Sequence, residues 1–182
     1  MPLHLNDMVR FRGDRLFRGA VSIDWFGTDD AKTRAASEAF VFHGPAYHGV
    51  AQADVGSGHG HRLVDTASFA QSVVRRCYGH EDQPFTLAIA GYGTGKSHLA
   101  LTLASLLHDP ASETSRAVLN SIEAADAAIG AEIGLVLRES SQPCLAVALN
   151  GMRSFDLAAE VTRQIVRTLK TDGHDAKALD DL

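Results

Sequence analysis

The segment AIAGYGTGKSHLALTLASLL, which begins at Ala88, constrains the fold more than any other part of the 182-residue chain. A short apolar run at residues 85–90 leads into a loop that contains three glycines, a lysine and a serine. An apolar run with helical character follows it. This order predicts a buried parallel strand, then a glycine-rich loop, then a helix that begins near Lys96. Residues 90–97 also fit the pattern A/G-x-x-x-x-G-K-S/T, with Ala90 in the first position.

The spacing of this loop suits the binding of phosphate groups. Glycines allow the backbone to turn several N–H groups inward, and these join the positive end of the following helix in an anion-binding nest. The lysine would reach the β- and γ-phosphates, and the serine hydroxyl would bind Mg²⁺. The predicted nucleotide-binding residues are Gly91, Tyr92, Gly93, Thr94, Gly95, Lys96, Ser97 and His98, with Ser97 also the predicted Mg²⁺ ligand. The alternative interpretation is a plain glycine-rich turn with an incidental lysine.

The loop resembles the Walker A motif of P-loop NTPases, and in particular of AAA+-like ATPases. The string YGTGKSHLA resembles the large ATPases of bacterial phage-defence systems, namely BREX and phosphorothioation-linked restriction; VFHGPAYHG and VALNG add to this similarity. The specific resemblance covers residues 85–108. It implies that ATP and Mg²⁺ are bound and that, in a complete protein, ATP hydrolysis drives conformational work in phage defence or DNA processing. The partners it implies are DNA, other defence-system subunits or further copies of the chain.

The remaining hydrophobic pattern predicts an α/β fold. Residues 144–150 form a second apolar run, introduced by a proline, which predicts another buried strand. Helices are predicted at residues 29–42, 65–78, 96–108, 115–140 and 155–170. We therefore expect residues 65–182 to form a partial P-loop domain, a three-layer α/β/α core, and residues 1–64 to form a mixed, mainly helical N-terminal extension.

The acid that hydrolysis requires is missing from the predicted strands. In this class an apolar strand ends in Asp, often followed by Glu, which hold Mg²⁺ and orient the attacking water. The run at residues 144–150 ends instead in Asn150, which cannot act as a base. Asp156 is better explained as a charge at a helix N-terminus than as a metal partner. We therefore expect the chain to be an N-terminal piece of a longer ATPase, and we expect this piece to be inactive by itself. One alternative is a non-enzymatic nucleotide-dependent switch or scaffold. The other is a P-loop small-molecule kinase.

Composition and the N-terminal sequence indicate where the protein is located and which partners it does not bind. The formal net charge is −5, which argues against unspecific nucleic-acid binding by the whole surface. The N-terminus lacks the layout of a secretory signal, and no apolar stretch has the length of a membrane span. These features predict a cytoplasmic protein with no membrane partner. Cys77 and Cys144 lie in apolar contexts and are predicted to be reduced, buried thiols.

Histidines and arginines outside the loop suggest further sites. Four histidines are close in sequence but match no zinc-ligand spacing: His43, His48, His59 and His61. Residues 48–50 are instead a candidate for holding the adenine. Four arginines near the N-terminus are predicted to form a solvated or inter-domain surface, with contact to DNA phosphates as the alternative: Arg10, Arg12, Arg15 and Arg18. Arg75 and Arg76 are predicted to face solvent, with an arginine finger toward a neighbouring subunit as the alternative.

Overall fold

A computed structural model describes residues 19–47, 64–82, 85–140, 142–151 and 156–174 of the chain. Within these ranges the regular structure is helical. A short 3-10 helix, Ile23–Trp25, precedes six α-helices: α1 (Asp30–Ala39), α2 (Thr66–Cys77), α3 (Lys96–His108), α4 (Glu113–Ala125), α5 (Ala127–Glu139) and α6 (Leu157–Thr171).

The predicted three-layer α/β/α core is wrong, because none of the described residues belongs to a β-strand. Residues 85–90 are extended but lie at the surface, where Phe85, Leu87 and Ile89 are 76%, 75% and 69% exposed. Residues 144–150 are also extended and mostly half-buried. They lie against α3, where the Cys144 N–H donates to Leu107 O at 3.0 Å. A buried parallel strand needs strands on both sides, and the described residues provide neither run with one.

Two apolar clusters hold the helices together. The larger one joins α2, α3, α4 and α5, and its most deeply buried members include Val74, Leu106, Val118, Ile122 and Ile133. The smaller one surrounds Leu101 of α3, which packs with Phe26 and with Ala36 of α1. Helix α3 contributes to both clusters and is therefore the central element of the described fold.

Helix α1 packs against α3 and α4, although it lies within the predicted N-terminal extension. The Ser37 and Ser105 hydroxyls lie 3.0 Å apart across the contact with α3. On α4, the Thr114 hydroxyl donates to the Glu38 carboxylate. The division of the chain at residue 64 stays a prediction.

The starts of α1 and α2 follow the capping signals in the sequence. The Asp29 carboxylate accepts from the Lys32 N–H at 3.0 Å, and the Asp65 carboxylate accepts from the Ser68 N–H at 2.8 Å. Both satisfy backbone donors that a helix leaves free in its first turn. Hydrogen bonds from the side chain and the backbone N–H of Lys32 also lower the pKa of Asp29. The helices predicted here are confirmed, although α1 ends at Ala39 and not at residue 42.

The single helix predicted over residues 115–140 is wrong, because Asp126 divides it. The Asp126 N–H donates to Ile122 O and ends α4, while its carboxylate accepts from the N–H groups of Ala128 and Ile129 and starts α5. Since Asp126 has extended backbone angles, α5 turns back along α4. Gly130 lies where α5 packs closely against the backbone of Glu123 in α4.

Candidate nucleotide-binding loop

Helix α3 provides a fixed base for the glycine-rich loop. The helix begins at Lys96 and ends at His108, in agreement with the predicted helix. Leu101 and Leu106 have no exposed surface, which fixes the helix in both apolar clusters. The first turn, in contrast, is open to solvent, and Lys96 and Ser97 are exposed. The loop therefore enters a helix that is rigid in its middle and accessible at its N-terminus.

Two glycines of the loop have backbone angles that other residues adopt at a cost. The φ angle is +76° at Gly93 and +83° at Gly95. A β-carbon added at either glycine would meet no atom within 4 Å. The requirement for glycine here is thus conformational, not steric, in the ligand-free protein. Gly91 differs, because its φ is not positive and an added β-carbon would make only an ordinary 3.7 Å contact with Thr94.

Side chains within the loop hold its turn closed. The Thr94 hydroxyl donates to Gly91 O at 2.9 Å. The Lys96 ammonium donates to Ala90 O at 2.9 Å and to Gly91 O at 2.6 Å. The Lys96 side chain therefore folds back over the loop, and its charge lies beside the first residues of the loop, Ala90 and Gly91. We call this the entry side of the loop. Both carbonyl groups precede the glycines that have positive φ.

The N-terminus of α3 has no side-chain cap, since Gly95 occupies the capping position. Each of the other five α-helices has a capping side chain, from Asp29, Asp65, Ser112, Asp126 and Asp156. The first turn of a helix carries N–H groups without intrahelical partners and a partial positive charge. At α3 no capping side chain accepts from the N–H groups of this first turn, which begins with Lys96 and Ser97.

The His98 side chain turns away from the loop. Its Nε2 atom lies 2.6 Å from Ala36 O of α1, and its ring makes an edge-to-face contact with Phe40 at 4.9 Å. The backbone N–H of His98 still belongs to the open first turn. Tyr92, at the tip of the loop, is fully exposed. Any role of these two residues in phosphate binding would therefore come from the backbone at His98 and from a free side chain at Tyr92.

The polar residues that end the second apolar run contact parts of the chain other than the loop. The Asn150 amide donates to the Asp24 carboxylate at 2.7 Å. Both residues line a cavity of about 490 Å³ beside α6, and Arg163 and Arg167 also line it. Asp156 caps α6 by accepting from the Ala159 N–H at 2.8 Å, as the sequence predicts. No residue from 90–98 lines this cavity.

A second cavity, of about 580 Å³, lies between α1, α3 and α6 and also contains no loop residue. Its walls carry many hydroxyl groups, among them Thr33, Ser105 and Thr168. His108 at the end of α3 contacts Asp172 through Nε2 at 3.1 Å, which joins α6 to the body. The sequence gives no signal for this pair, because its members are 64 positions apart.

The remaining candidate residues fall into two groups. Seven lie outside the described residues, as does the proposed adenine segment 48–50: His48, His59, His61, Arg10, Arg12, Arg15 and Arg18. The others are described. His43 stacks on Tyr47 at 3.9 Å, and the described part of the chain contains no group of three or more potential metal ligands.

The two arginines of α2 form ion pairs within the chain. Arg75 binds Glu132 at 2.5 Å and Glu81 at 3.3 Å, and Arg76 binds Glu81 at 3.0 Å. Arg76 also donates to Phe85 O at 3.4 Å and to the Thr86 hydroxyl. This last contact fixes the start of the extended run that leads to the loop. The sequence did not predict the contact of Arg76 with residues 85 and 86, because the position of an arginine on a helix does not show which loop its side chain reaches.

The two cysteines differ from their predicted environment. Cys77 is exposed and Cys144 is half-buried, and both are free thiols. Local desolvation raises the pKa of Cys77, and the neighbouring Cys144 raises it further. Desolvation, followed by contact with Cys144, also raises the pKa of Tyr78. The prediction of reduced thiols agrees with the structure, whereas that of full burial is wrong.

No family model, curated protein or solved structure matches this chain. Among the described residues, no helix is both long enough and apolar enough to cross a membrane.

Proposed function

We propose that this chain binds the polyphosphate group of ATP, together with Mg²⁺, at residues 91–98. One observation carries the proposal: the positive-φ glycines Gly93 and Gly95 lead directly into a helix whose N-terminus no side chain caps. A phosphate placed there would accept hydrogen bonds from N–H groups of the first turn and lie at the positive end of the helix dipole. The binding element needs only the loop and α3, and no sheet is part of the proposal.

Lys96 and Ser97 supply the rest of the proposed site. Both side chains are exposed at the mouth of the loop, so neither has to leave the core to reach a ligand. The ammonium group would neutralise phosphate charge, and the serine hydroxyl would be an oxygen ligand to a Mg²⁺ ion that the phosphates also hold. Mg²⁺ keeps most of its waters in such sites, so one protein oxygen suffices for binding.

The proposal covers binding and not turnover by this chain alone. Hydrolysis requires a carboxylate that helps to hold Mg²⁺ or orients water. Asp24 and Asp156 are both engaged elsewhere, Asp24 with Asn150 and Asp156 with the N-terminus of α6. These contacts favour a nucleotide-dependent switch or scaffold as the function of the described part. ATP hydrolysis in phage defence or DNA processing is the wider proposal and rests on the Walker A resemblance.

Titration with a fluorescent ATP analogue in the presence of Mg²⁺ tests the proposal. Lys96→Ala removes the ammonium group and should weaken binding by about 1.5–3 kcal/mol, the usual contribution of a hydrogen bond to a charged group. Lys32→Ala is the matched control, because Lys32 is also an exposed lysine of a helix first turn but pairs with Asp29 at 2.7 Å. Equal affinities for the parent protein and Lys96→Ala would refute the assignment.

A further inference from the structure

The extended run at residues 85–90 is held at both ends by cationic side chains from two different helices. At its start, Arg76 of α2 donates to Phe85 O and to the Thr86 hydroxyl. At its end, Lys96 of α3 donates to Ala90 O and Gly91 O, at 2.9 and 2.6 Å. The run therefore bridges the two helices through polar contacts.

Between these two contacts the run has little to fix it. Each of residues 85–90 is exposed, and none of them belongs to a helix or a strand. Phe85, Leu87 and Ile89 present large apolar surfaces to solvent. Because no apolar burial holds the run in place, its position depends on the polar contacts at its ends.

The Lys96 contact is also the one that a phosphate ligand would disturb. A lysine ammonium has three donors, and two of them are directed to neutral carbonyl oxygens on the entry side of the loop. A bound polyphosphate would lie on the other side, over the N–H groups of the first turn of α3. Hydrogen bonds to an anion are roughly twice as strong as those to a neutral acceptor. The ammonium would therefore move from the carbonyls to the phosphate.

We propose that Lys96 couples ligand binding to the apolar run: in the free protein it restrains residues 85–90, and a bound nucleoside triphosphate takes up its ammonium and releases the end of the run at Ala90. This inference rests on the proposed function, since it requires the same lysine to bind phosphate. The released run stays attached to α2 at its other end by Arg76. Binding at the loop thereby changes the freedom of an apolar surface, as a nucleotide-dependent switch requires.

Limited proteolysis of the full chain by chymotrypsin measures this freedom, because the enzyme cleaves after Phe85 and Leu87 within the run and after Tyr92 within the loop. Mass spectrometry assigns each cut. Without ligand, Lys96→Met should be cleaved after Leu87 about threefold to tenfold faster than the parent, since cleavage follows local opening. Lys32→Met, which removes an exposed lysine elsewhere, should match the parent. Adding Mg²⁺ and ATP to the parent should speed the Leu87 cut and slow the Tyr92 cut, whereas Lys96→Met should show no ligand effect at Leu87.

Three results would overturn the inference. Cleavage of ligand-free Lys96→Met at the parent rate would mean that Lys96 does not restrain the run, whatever the nucleotide does. Binding of fluorescent ATP by the parent without a change at Leu87 would mean that binding and release are not coupled. Faster cleavage of Lys96→Met with no ATP binding by the parent would refute the proposed function and the coupling with it, and would leave only the restraint in the free protein.

Discussion

Gly130 of α5 packs directly against Glu123 of α4, so closely that a β-carbon on Gly130 would lie 2.6 Å from the Glu123 Cα atom. The same β-carbon would lie 2.9 Å from the Glu123 backbone nitrogen. Backbone atoms cannot turn aside as the end of a side chain can. The close packing of α4 and α5, which contributes much of the larger apolar cluster, therefore depends on a residue without a side chain.

Gly130→Ala should lower the free energy of unfolding by about 1–3 kcal/mol, because α5 has to move away from α4. Gly134→Ala is the matched control on the same helix. Its β-carbon would meet the end of the Arg138 side chain at 3.2 Å, which can move, and alanine favours a helix over glycine by about 0.5–1 kcal/mol. Urea unfolding followed by circular dichroism measures both. Equal stability of the two variants would show that the helices are not in this close contact.

ATP turnover by the 182-residue chain should not exceed the background rate. The described acids near the second apolar run are occupied by Asn150 and by the cap of α6, so none is directed at the loop. Since positioning and charge stabilisation supply most of the catalysis in phosphoryl transfer, binding alone leaves the reaction slow. Phosphate release, with Lys96→Ala as a control for contaminating enzymes, checks this. Robust turnover that disappears in Lys96→Ala would contradict it.

Nucleotides that differ only in the base should bind with similar affinity. The loop is exposed along its whole length, and neither of the two cavities lies beside it, so contacts to phosphate dominate. Affinities for ATP and GTP should agree within about threefold, less than 1 kcal/mol. Competition of each nucleotide against a fluorescent ATP analogue measures the ratio. A strong preference for ATP would indicate that residues outside the described ranges, such as the predicted segment 48–50, hold the adenine.

Cys77 should react slowly with iodoacetamide in the folded protein. Desolvation, and then the neighbouring Cys144, raise its pKa, so below that raised pKa the folded protein has less reactive thiolate than the unfolded chain. The rate ratio of folded to unfolded protein should therefore be below one at pH 8 and rise toward one as the pH increases. Cys144→Ser should speed the reaction of Cys77. Equal rates for folded and unfolded protein at pH 8 would show that folding does not raise the pKa of Cys77.

Local signals in the sequence predicted the helices well. Asp29 and Asp65 mark the starts of α1 and α2, because a carboxylate before a helical run satisfies free N–H groups wherever it occurs. The start of α3 follows from the glycine at its capping position. The sequence also contained the break at Asp126, since an acid inside an alanine-rich run can cap a new helix. The even spacing of apolar residues across residues 115–140 outweighed this signal.

The two predicted strands are wrong because a local sequence pattern does not show which distant parts of the chain will pack beside it. A six-residue apolar run is compatible with a buried strand, but burial depends on neighbours that are distant in sequence. In the described structure, residues 85–90 have no such neighbour, and residues 144–150 lie against a helix. The conformation of the loop was predictable because it depends on a few consecutive residues, among them two glycines with positive φ. Its side-chain partners, such as Arg76 and His98, depend on tertiary packing and were not predictable.

The most direct test of nucleotide binding is calorimetric titration of Mg²⁺ and ATP into the parent protein, Gly95→Ala and Gly91→Ala. Gly95 has a φ of +83°, whereas Gly91 has an ordinary backbone conformation with room for a methyl group. Alanine at residue 95 strains the nest by about 1–2 kcal/mol or shifts it out of shape, so binding should weaken by about fivefold to thirtyfold. Gly91→Ala should bind like the parent. No binding by the parent, or equal affinity for Gly95→Ala and Gly91→Ala, would contradict a phosphate-binding loop.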